Sequence, residues 1–204
     1  MAAYLVGLYL AQVRGTKFGD EISSIMDQLA AMPEKIEQVL ETMEPIRKLA
    51  GTLKDKQSVL FLGRHVGYPV ALEGALKLKE LAYMHAEGFA AGELKHGPIA
   101  LIEEGSPVFV TVPSPSGRSI IHDKVLSNIQ EVRARGAFTI VIAEEGDESV
   151  QGLADHVIRI PACPTLLQPI LAIVPLQVFA CEMATIKGFD VDQPRNLAKS
   201  VTVE

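Results

Sequence analysis

The stretch "YPVALEGALKLKELAYMHAEGF" carries acidic and basic side chains at a spacing that allows them to act together. Four of its side chains lie three or four residues apart and therefore share one face of a helix: Glu73, Lys77, Glu80 and Met84. A carboxylate beside an ammonium group can move protons to and from a bound substrate. The alternative is a solvated stripe of ion pairs without chemistry.

The segment "AAGELKHGP" places three ionisable side chains in a short loop bounded by glycine and proline: Glu93, Lys95 and His96. Histidine titrates near neutral pH, so His96 is a candidate proton donor or acceptor. The alternative is a histidine on a surface loop. The remaining histidines show no metal-ligand spacing with His96 and are interpreted as structural or surface groups: His65, His85, His122 and His156.

The closing segment "DVDQPRNLAKSVTVE", residues 190–204, fits neither a helix nor a strand. It carries four polar side chains that could reach a ligand: Arg195, Asn196, Lys199 and Ser200. A lysine in a partly desolvated site can lose its proton and attack a carbonyl group, which makes Lys199 a candidate nucleophile or base. The alternative is a solvated tail.

Several familiar site motifs are absent from the sequence, namely GxGxxG, GxxxxGK[ST], GxSxG and HExxH. Dinucleotide, P-loop and common hydrolase functions therefore lose support. The turn "GRHVG", residues 63–67, lies between a predicted strand and a helix, where backbone N–H groups can bind an anion. The favoured interpretation is a tight turn that needs glycine. We expect neither a cofactor nor a metal ion.

The composition predicts one folded domain, because 48% of the 204 residues are hydrophobic and 22% are charged. The net charge of −6 and the lack of a basic block do not favour nucleic-acid binding. Cys163 and Cys181 follow no zinc or CxxC spacing, which favours a reducing compartment, the cytoplasm. The apolar opening of the chain has no basic n-region and is shorter than a membrane span.

Apolar runs predict strands at residues 58–64, 106–113, 137–144 and 155–161, with a shorter fifth strand at 87–93. Helical periodicity predicts helices at the start of the chain, in two amphipathic stretches between Gly15 and Gly51, at 69–87, ahead of Gly136, and at 165–187. Continuous apolar strands that alternate with helices indicate an α/β three-layer sandwich, with a mostly parallel sheet covered on both faces.

In such sheets, ligands bind beyond the carboxyl ends of the strands. We therefore expect the site among the loops that follow Leu62, Glu87, Val112 and Ala143.

Four segments resemble a known family: "EGALKLKE", "HAEGFAAGELKHGPIAL", "NIQEVRARG" and "DVDQPRNLAKSVTVE". In this order they are similar to the carboxy-terminal part of glutamine–fructose-6-phosphate aminotransferases (isomerizing), also called glucosamine-6-phosphate synthases. The resemblance covers essentially the whole chain. It implies the second of two sugar isomerase (SIS) domains, with a flavodoxin-like fold, in an enzyme that makes glucosamine 6-phosphate and glutamate from fructose 6-phosphate and glutamine.

The resemblance also implies roles for individual residues. Glu80 matches the carboxylate that moves a proton between C1 and C2 of the sugar, and Lys77 matches a lysine beside it. His96 matches a ring-opening histidine that reaches the site of a neighbouring subunit, which implies a homodimer. Lys199 matches a lysine that forms a Schiff base with the open-chain ketose. The surrounding tail matches a segment that closes over the sugar: Arg195, Asn196, Ala198 and Ser200.

The resemblance divides the chain into helices at 1–50, linked in part to the preceding SIS domain, an SIS domain at 51–189 and an active-site tail at 190–204. The glutaminase and first SIS domains of the family would then be missing partners. The family's phosphate-binding turn, which resembles SQSGET, belongs to the first SIS domain. We expect no such turn here, with "ELKHGP" at the equivalent position, so the chain should be inactive or weak alone. The alternative function is a non-catalytic SIS module that binds a sugar phosphate.

Overall fold

The computed structural model describes residues 1–116 and 119–195. Within them, five strands form one sheet: β1 (Ser58–Gly63), β2 (His85–Ala90), β3 (Pro107–Thr111), β4 (Phe138–Glu144) and β5 (His156–Ile160). The α-helices are α1 (Ala2–Val13), α2 (Gly19–Ala30), α3 (Met32–Glu41), α4 (Glu44–Leu53), α5 (Gly67–Ala82), α6 (Ser119–Arg133) and α7 (Gln168–Ile186). Short 3₁₀ helices lie at Leu94–His96, Pro98–Leu101 and Glu148–Val150.

The sheet is parallel throughout the described residues, with the strand order β2-β1-β3-β4-β5. This is the flavodoxin-like order, in which the direction of winding reverses between β1 and β3. The predicted fifth strand exists as β2, but it begins at His85 rather than at residue 87. The α/β fold predicted from the sequence is therefore confirmed.

Helices cover both faces of the sheet, because successive side chains of a strand point to opposite sides. Val59 and Phe61 of β1 pack into a core with α3, α4, α5 and α7. Leu60 and Leu62 pack into a second core on the other face, with Val125 and other residues of α6. The structure is thus the three-layer sandwich that the alternation of strands and helices predicts.

The helix α7 is a core helix. Among the described helices it alone is long and apolar enough to cross a membrane, but half of its most apolar window is buried within the fold. Leu171, Phe179 and Met183 are completely buried in the larger core. Its apolar surface is therefore explained by packing against α5, α4 and α3.

Two predicted helix boundaries were wrong. The second amphipathic stretch before Gly51 is two helices, α3 and α4, because Thr42 leaves the helical conformation and Pro45 starts a new helix. The helix predicted at 69–87 ends at Ala82, where Tyr83 adopts a left-handed conformation with φ of 54°. That early end releases His85 and its neighbours to form β2.

A buried hydrogen-bonded cluster joins the start of α6 to the loop after β4. His122 Nε2 lies 2.8 Å from Asp147 Oδ2, and the Ser149 N–H donates to Asp147 Oδ1 at 3.1 Å. Burial raises the pKa of the Asp147 carboxyl, but the hydrogen bonds from His122 and Ser149 outweigh it and hold that pKa below its usual value of 3.8. The folded chain therefore favours the ionised form of Asp147.

Asp147→Asn should destabilise the fold by about 1–3 kcal/mol near pH 5, because a buried hydrogen bond to a charge is lost. Since the folded pKa lies below the unfolded one, this contribution is present above pH 3.8 and disappears as the pH falls through the folded value. Urea unfolding of both proteins from about pH 5 to about pH 2.5 tests this, and the two free energies of unfolding should converge.

The matched control is Asp123→Asn, because Asp123 Oδ1 lies 3.8 Å from the same histidine but its side chain is 75% exposed. This control should change the free energy of unfolding by less than about 1 kcal/mol. A difference between wild type and Asp147→Asn that stays constant over the whole pH range would contradict the prediction.

Candidate functional site

The charged side chains on one face of α5 lie close together. Lys77 Nζ is paired with Glu80 Oε2 and lies 3.7 Å from Glu73 Oε1. The side chains of Lys77 and Glu80 are 27% and 23% exposed, so a ligand can reach them while the helix holds them in place. Met84, which the helical spacing places on the same face, instead lies beyond the end of α5 and is buried in the core.

The pairing sets the charge of Lys77. Its hydrogen bond to the Glu80 carboxylate raises the pKa of the ammonium group above 10.5, although burial acts in the opposite direction. Lys77 therefore stays a cation at neutral pH. A permanent cation beside a carboxylate suits a site in which negative charge develops on a substrate while the carboxylate moves a proton.

The described part of the carboxy-terminal segment packs beside the end of α5. The backbone N–H of Arg195 donates to the Tyr83 hydroxyl oxygen at 2.7 Å, and the Arg195 guanidinium lies 4.0 Å from the centre of the Tyr83 ring. Phe189 meets the same ring edge-on at 4.7 Å. Tyr83 follows Glu80 by three residues, so these contacts bring Arg195 to the end of α5 that carries the ion pair.

The remaining predicted tail residues lie outside the described part of the chain: Asn196, Ala198, Lys199 and Ser200. The roles that the resemblance implies for Lys199 and for these neighbours therefore stay predictions. No signal in the sequence identifies Tyr83 as the residue that holds Arg195, because the contact joins residues that are 112 positions apart.

His96 lies at the opposite end of the strands from Lys77 and Glu80. It ends the short helix Leu94–His96 that follows β2, its side chain is 74% exposed, and its Nε2 lies 3.9 Å from Glu93 Oε2. Because α5 runs antiparallel to the strands, Glu80 lies near their amino ends and His96 beyond their carboxyl ends. The strand β2 between them spans roughly 17 Å at about 3.3 Å per residue. A single chain therefore does not bring His96 to Glu80.

A cleft of about 440 Å³ lies at the carboxyl ends of the strands, between β1, β2 and the start of α6. Arg64, His65 and Tyr68 line it from the turn after β1, and Lys124 lines it from α6. Gly63 of this turn is required by space, because a Cβ atom there would lie 2.1 Å from the Gly67 carbonyl oxygen. The sequence predicts the site at these carboxyl ends of the strands. Lys77 and Glu80 instead lie near the amino ends.

The expectation that the chain lacks a serine-rich turn like SQSGET was wrong. Residues 114–119 read "SPSGRS" and follow β3 at the point where the winding of the sheet reverses, whereas "ELKHGP" follows β2. In the described part of this turn, Ser114 Oγ and Ser116 Oγ are 2.7 Å apart. The buried Gln168 accepts the Ser114 N–H at 3.2 Å and donates to the Val112 carbonyl at 2.9 Å.

Thiol and metal chemistry find no support in the described residues. Both cysteines are free, and burial raises the pKa of Cys163 to about 11, so this thiol stays protonated at neutral pH. No group of three or more histidine, cysteine, aspartate or glutamate side chains in residues 1–116 and 119–195 is arranged to hold a metal ion.

A comparison with protein families decides the classification. The family model described as "SIS domain" matches residues 52–187, which is two thirds of the chain. The chain belongs to the SIS domain family. The match runs from the end of α4 to the end of α7, so it includes all five strands and the loops at both of their ends.

Close relatives of this SIS domain are longer proteins. Over 203 residues, it is 71% identical to a protein of Corynebacterium glutamicum named glutamine–fructose-6-phosphate aminotransferase [isomerizing]. Over 204 residues, it is 72% identical to a protein of Streptomyces coelicolor with the same name. Each match covers 100% of this chain and 33% of the relative, so the chain spans about a third of the relatives' length.

A solved structure agrees with this classification. The carboxy-terminal domain of glucosamine-fructose-6-phosphate aminotransferase from Francisella tularensis superimposes with a TM-score of 0.85 and is 35% identical in sequence. The match covers 92% of this chain and 52% of that one. The SIS fold described here therefore forms about half of that structure.

Tyr83→Ala should release the chain around Arg195 from the end of α5. The substitution removes the hydrogen bond between the Arg195 N–H and the Tyr83 hydroxyl, and also the ring that the Arg195 guanidinium covers. Loss of about 1.4 kcal/mol of local stability corresponds to a tenfold rise in the open population. Limited trypsin digestion should therefore cleave after Arg195 about tenfold faster than in the wild type, at rates followed by mass spectrometry.

Tyr9→Ala provides the control, because Tyr9 is an exposed tyrosine on α1. Equal cleavage rates in Tyr83→Ala and Tyr9→Ala would show that Tyr83 does not hold this segment.

Proposed function

We propose that this chain is the second sugar isomerase domain of a glutamine–fructose-6-phosphate aminotransferase. The identity of 71–72% along its entire length to two proteins of that name carries the proposal. In this function, the chain takes part in converting fructose 6-phosphate and glutamine into glucosamine 6-phosphate and glutamate. The other two thirds of the relatives' length would supply the glutaminase and the first SIS domain.

Glu80 is the proposed base that moves a proton between C1 and C2 of the open-chain sugar. The reaction needs one carboxylate that first removes a proton and then returns it on the same face of an enolamine-like intermediate. Lys77 keeps its proton and stands beside that carboxylate, so it can stabilise the negative charge of the intermediate. The partial exposure of both groups supports this role, because a sugar can approach them without a rearrangement of α5.

His96 is the proposed ring-opening residue, and it acts on a neighbouring subunit. Its side chain is exposed, and it lies at the opposite end of the strands from Glu80. Both observations support this arrangement, since a group that projects from one subunit can complete a site on another. The function then requires a homodimer. Symmetric dimers of this kind contain two equivalent sites, each built from both chains.

The carboxy-terminal tail is the proposed cover of the sugar, with Arg195, Asn196, Ala198 and Ser200 around Lys199 as the Schiff-base lysine. The contact of Arg195 with Tyr83 supports this role, because it directs the chain toward the end of α5 that carries Glu80. The alternative, a non-catalytic module that binds a sugar phosphate, has no need of a carboxylate paired with a protonated lysine, so the ion pair favours the enzyme.

A chimera tests the function directly, with this chain in place of the matching third of the Corynebacterium glutamicum relative. It should produce glucosamine 6-phosphate from fructose 6-phosphate and glutamine. Glu80→Gln in the chimera should lower that rate by roughly 10²–10⁴-fold, the usual contribution of a general base. Release of glutamate from glutamine should continue, because Glu80 plays no part in it.

Lys79→Gln is the matched control, since Lys79 is an exposed residue on the same helix. It should leave both rates within about twofold of the unmodified chimera. An inactive chimera that is folded and still hydrolyses glutamine would contradict the proposed function. Unchanged formation of glucosamine 6-phosphate by Glu80→Gln would remove Glu80 as the base.

A further inference from the structure

We propose that Glu131 of α6 is a positioning residue for His96. This role rests on the proposed function, in which His96 opens the sugar ring on a neighbouring subunit. Glu131 belongs to the segment "NIQEVRARG", residues 128–136, which has no part in the function described so far. It acts through Lys95, the residue directly before His96. The segment that it holds is residues 91–97, which we call the His96 loop.

A chain of polar contacts runs from the turn after β1 across α6 to the His96 loop. Arg64 Nε donates a hydrogen bond to Asn128 Oδ1 at 2.9 Å, and Asn128 Nδ2 donates to Glu131 Oε2 at 3.1 Å. The other carboxylate oxygen, Glu131 Oε1, lies 2.7 Å from Lys95 Nζ. Asn128 and Glu131 therefore each connect two different neighbours.

The order of donors and acceptors gives these contacts a single arrangement. An arginine side chain only donates hydrogen bonds, and an ionised glutamate only accepts them. The Asn128 amide must therefore turn its oxygen to Arg64 and its nitrogen to Glu131. Because Asn128 is only 4% exposed, water offers it few alternative partners. One oxygen of the Glu131 carboxylate is held in this way, and the second is directed at Lys95.

The same contacts reach the His96 loop at two points. The Arg64 guanidinium packs on the backbone of Gly92, where a Cβ atom would lie 2.9 Å from Arg64 Nη1. The carboxylate of Glu131 pairs with Lys95 three residues later. The loop is thus held at its beginning and again just before the histidine.

The exposed end of the His96 loop needs a restraint of its own. The side chain of His96 is 74% exposed, so packing does not hold it. Gly97 follows with φ of 142°, a conformation that glycine adopts freely. The ion pair between Lys95 and Glu131 supplies the restraint one residue before the histidine. Its carboxylate side is 23% exposed and already oriented, so it loses less side-chain entropy than a pair of fully exposed residues.

Ring opening depends on where the imidazole of His96 lies. The C2 hydroxyl of the furanose loses its proton, the C2–O5 bond breaks as the C2 carbonyl forms, and O5 takes up a proton. A group that moves these protons must lie within about 2.6–3.2 Å of the oxygens that it serves. A displacement of about 1 Å can slow such a step by roughly 10²-fold. A substrate without a ring does not need this step.

A pair of substrates separates the positioning role from a general effect on the enzyme. 5-Deoxyfructose 6-phosphate lacks the hydroxyl that closes the furanose ring, so it stays in the open-chain form. In the chimera described above, Glu131→Gln should lower amino-sugar formation from fructose 6-phosphate by about three- to tenfold, because a partly buried ion pair is lost. Formation from the 5-deoxy compound should change by less than about twofold. His96→Gln should show the same selectivity with a larger loss, of roughly 10²-fold.

A double substitution tests whether Glu131 acts through Lys95. Lys95→Gln should cause the same selective loss as Glu131→Gln, and the double variant should lose no more than either single variant. Because Lys95 is 63% exposed, its substitution leaves the core intact, and this variant decides the outcome if Glu131→Gln does not fold. Asp123→Asn is the control, since it removes one negative charge from the same helix at a side chain that is 75% exposed. Both of its rates should stay within about twofold of the unmodified chimera.

Amide hydrogen exchange of this chain measures the His96 loop without any reaction. The N–H of His96 donates to the Glu93 carbonyl oxygen at 3.0 Å. Exchange in a peptide that covers residues 93–97 should be about three- to tenfold faster in Glu131→Gln and in Lys95→Gln than in the wild type, because the loop opens more often. Asp123→Asn should exchange at the rate of the wild type.

Three results would overturn the positioning role: an equal effect of Glu131→Gln on the two substrates, a double variant whose loss is the product of the two single losses, or unchanged exchange at residues 93–97. A folded chimera that makes no glucosamine 6-phosphate contradicts the proposed function instead. The exchange rates still decide in that case whether Glu131 holds the His96 loop, so the two proposals fail separately.

Discussion

The packing of α5 between the sheet and α7 determines where the candidate functional side chains lie. Gly74 lies so close to both α7 and β1 that a Cβ atom there would lie 2.5 Å from Leu176 Cδ1 of α7 and 3.2 Å from Phe61 Cδ1 of β1. On the sheet side, a Cβ atom on Gly88 would lie 2.9 Å from the Ala71 backbone. Overpacking of this kind costs about 1–3 kcal/mol, and backbone atoms yield less than side chains do. The helix is therefore fixed in position along the sheet.

A helix held in this way has polar side chains near both of its ends. Its first turn follows the glycine turn of β1 and lines the cleft at the carboxyl ends of the strands. Its last turns place Lys77 and Glu80 near the amino ends of the strands, where the helix ends at Ala82 and the next residue, Tyr83, contacts Arg195. The acid-base pair is thus partly exposed. In the proposed function, other chains or domains supply the rest of the sugar site, and the chain spans about a third of its relatives' length.

The sequence predicts most of the fold because its strands are short apolar runs bounded by glycine and proline, as at residues 58–64 and 137–144. It predicts helix faces better than helix ends, since the end of α5 depends on a left-handed tyrosine rather than on glycine. It identifies Lys77 and Glu80 through local spacing. The contacts of Arg64 with Asn128 and of Arg195 with Tyr83 join residues 64 and 112 positions apart, which no local pattern reveals.

In the proposed function, Glu80 is held by α5 beside a protonated Lys77 and contacts the reacting carbons of the sugar. A crystal structure of the chimera with bound glucosamine 6-phosphate measures this contact. We expect C1 and C2 of the sugar to lie about 3–3.5 Å from the Glu80 carboxylate, the distance that proton transfer requires. A sugar bound with both carbons more than about 6 Å from Glu80, and closer to another base, would contradict it.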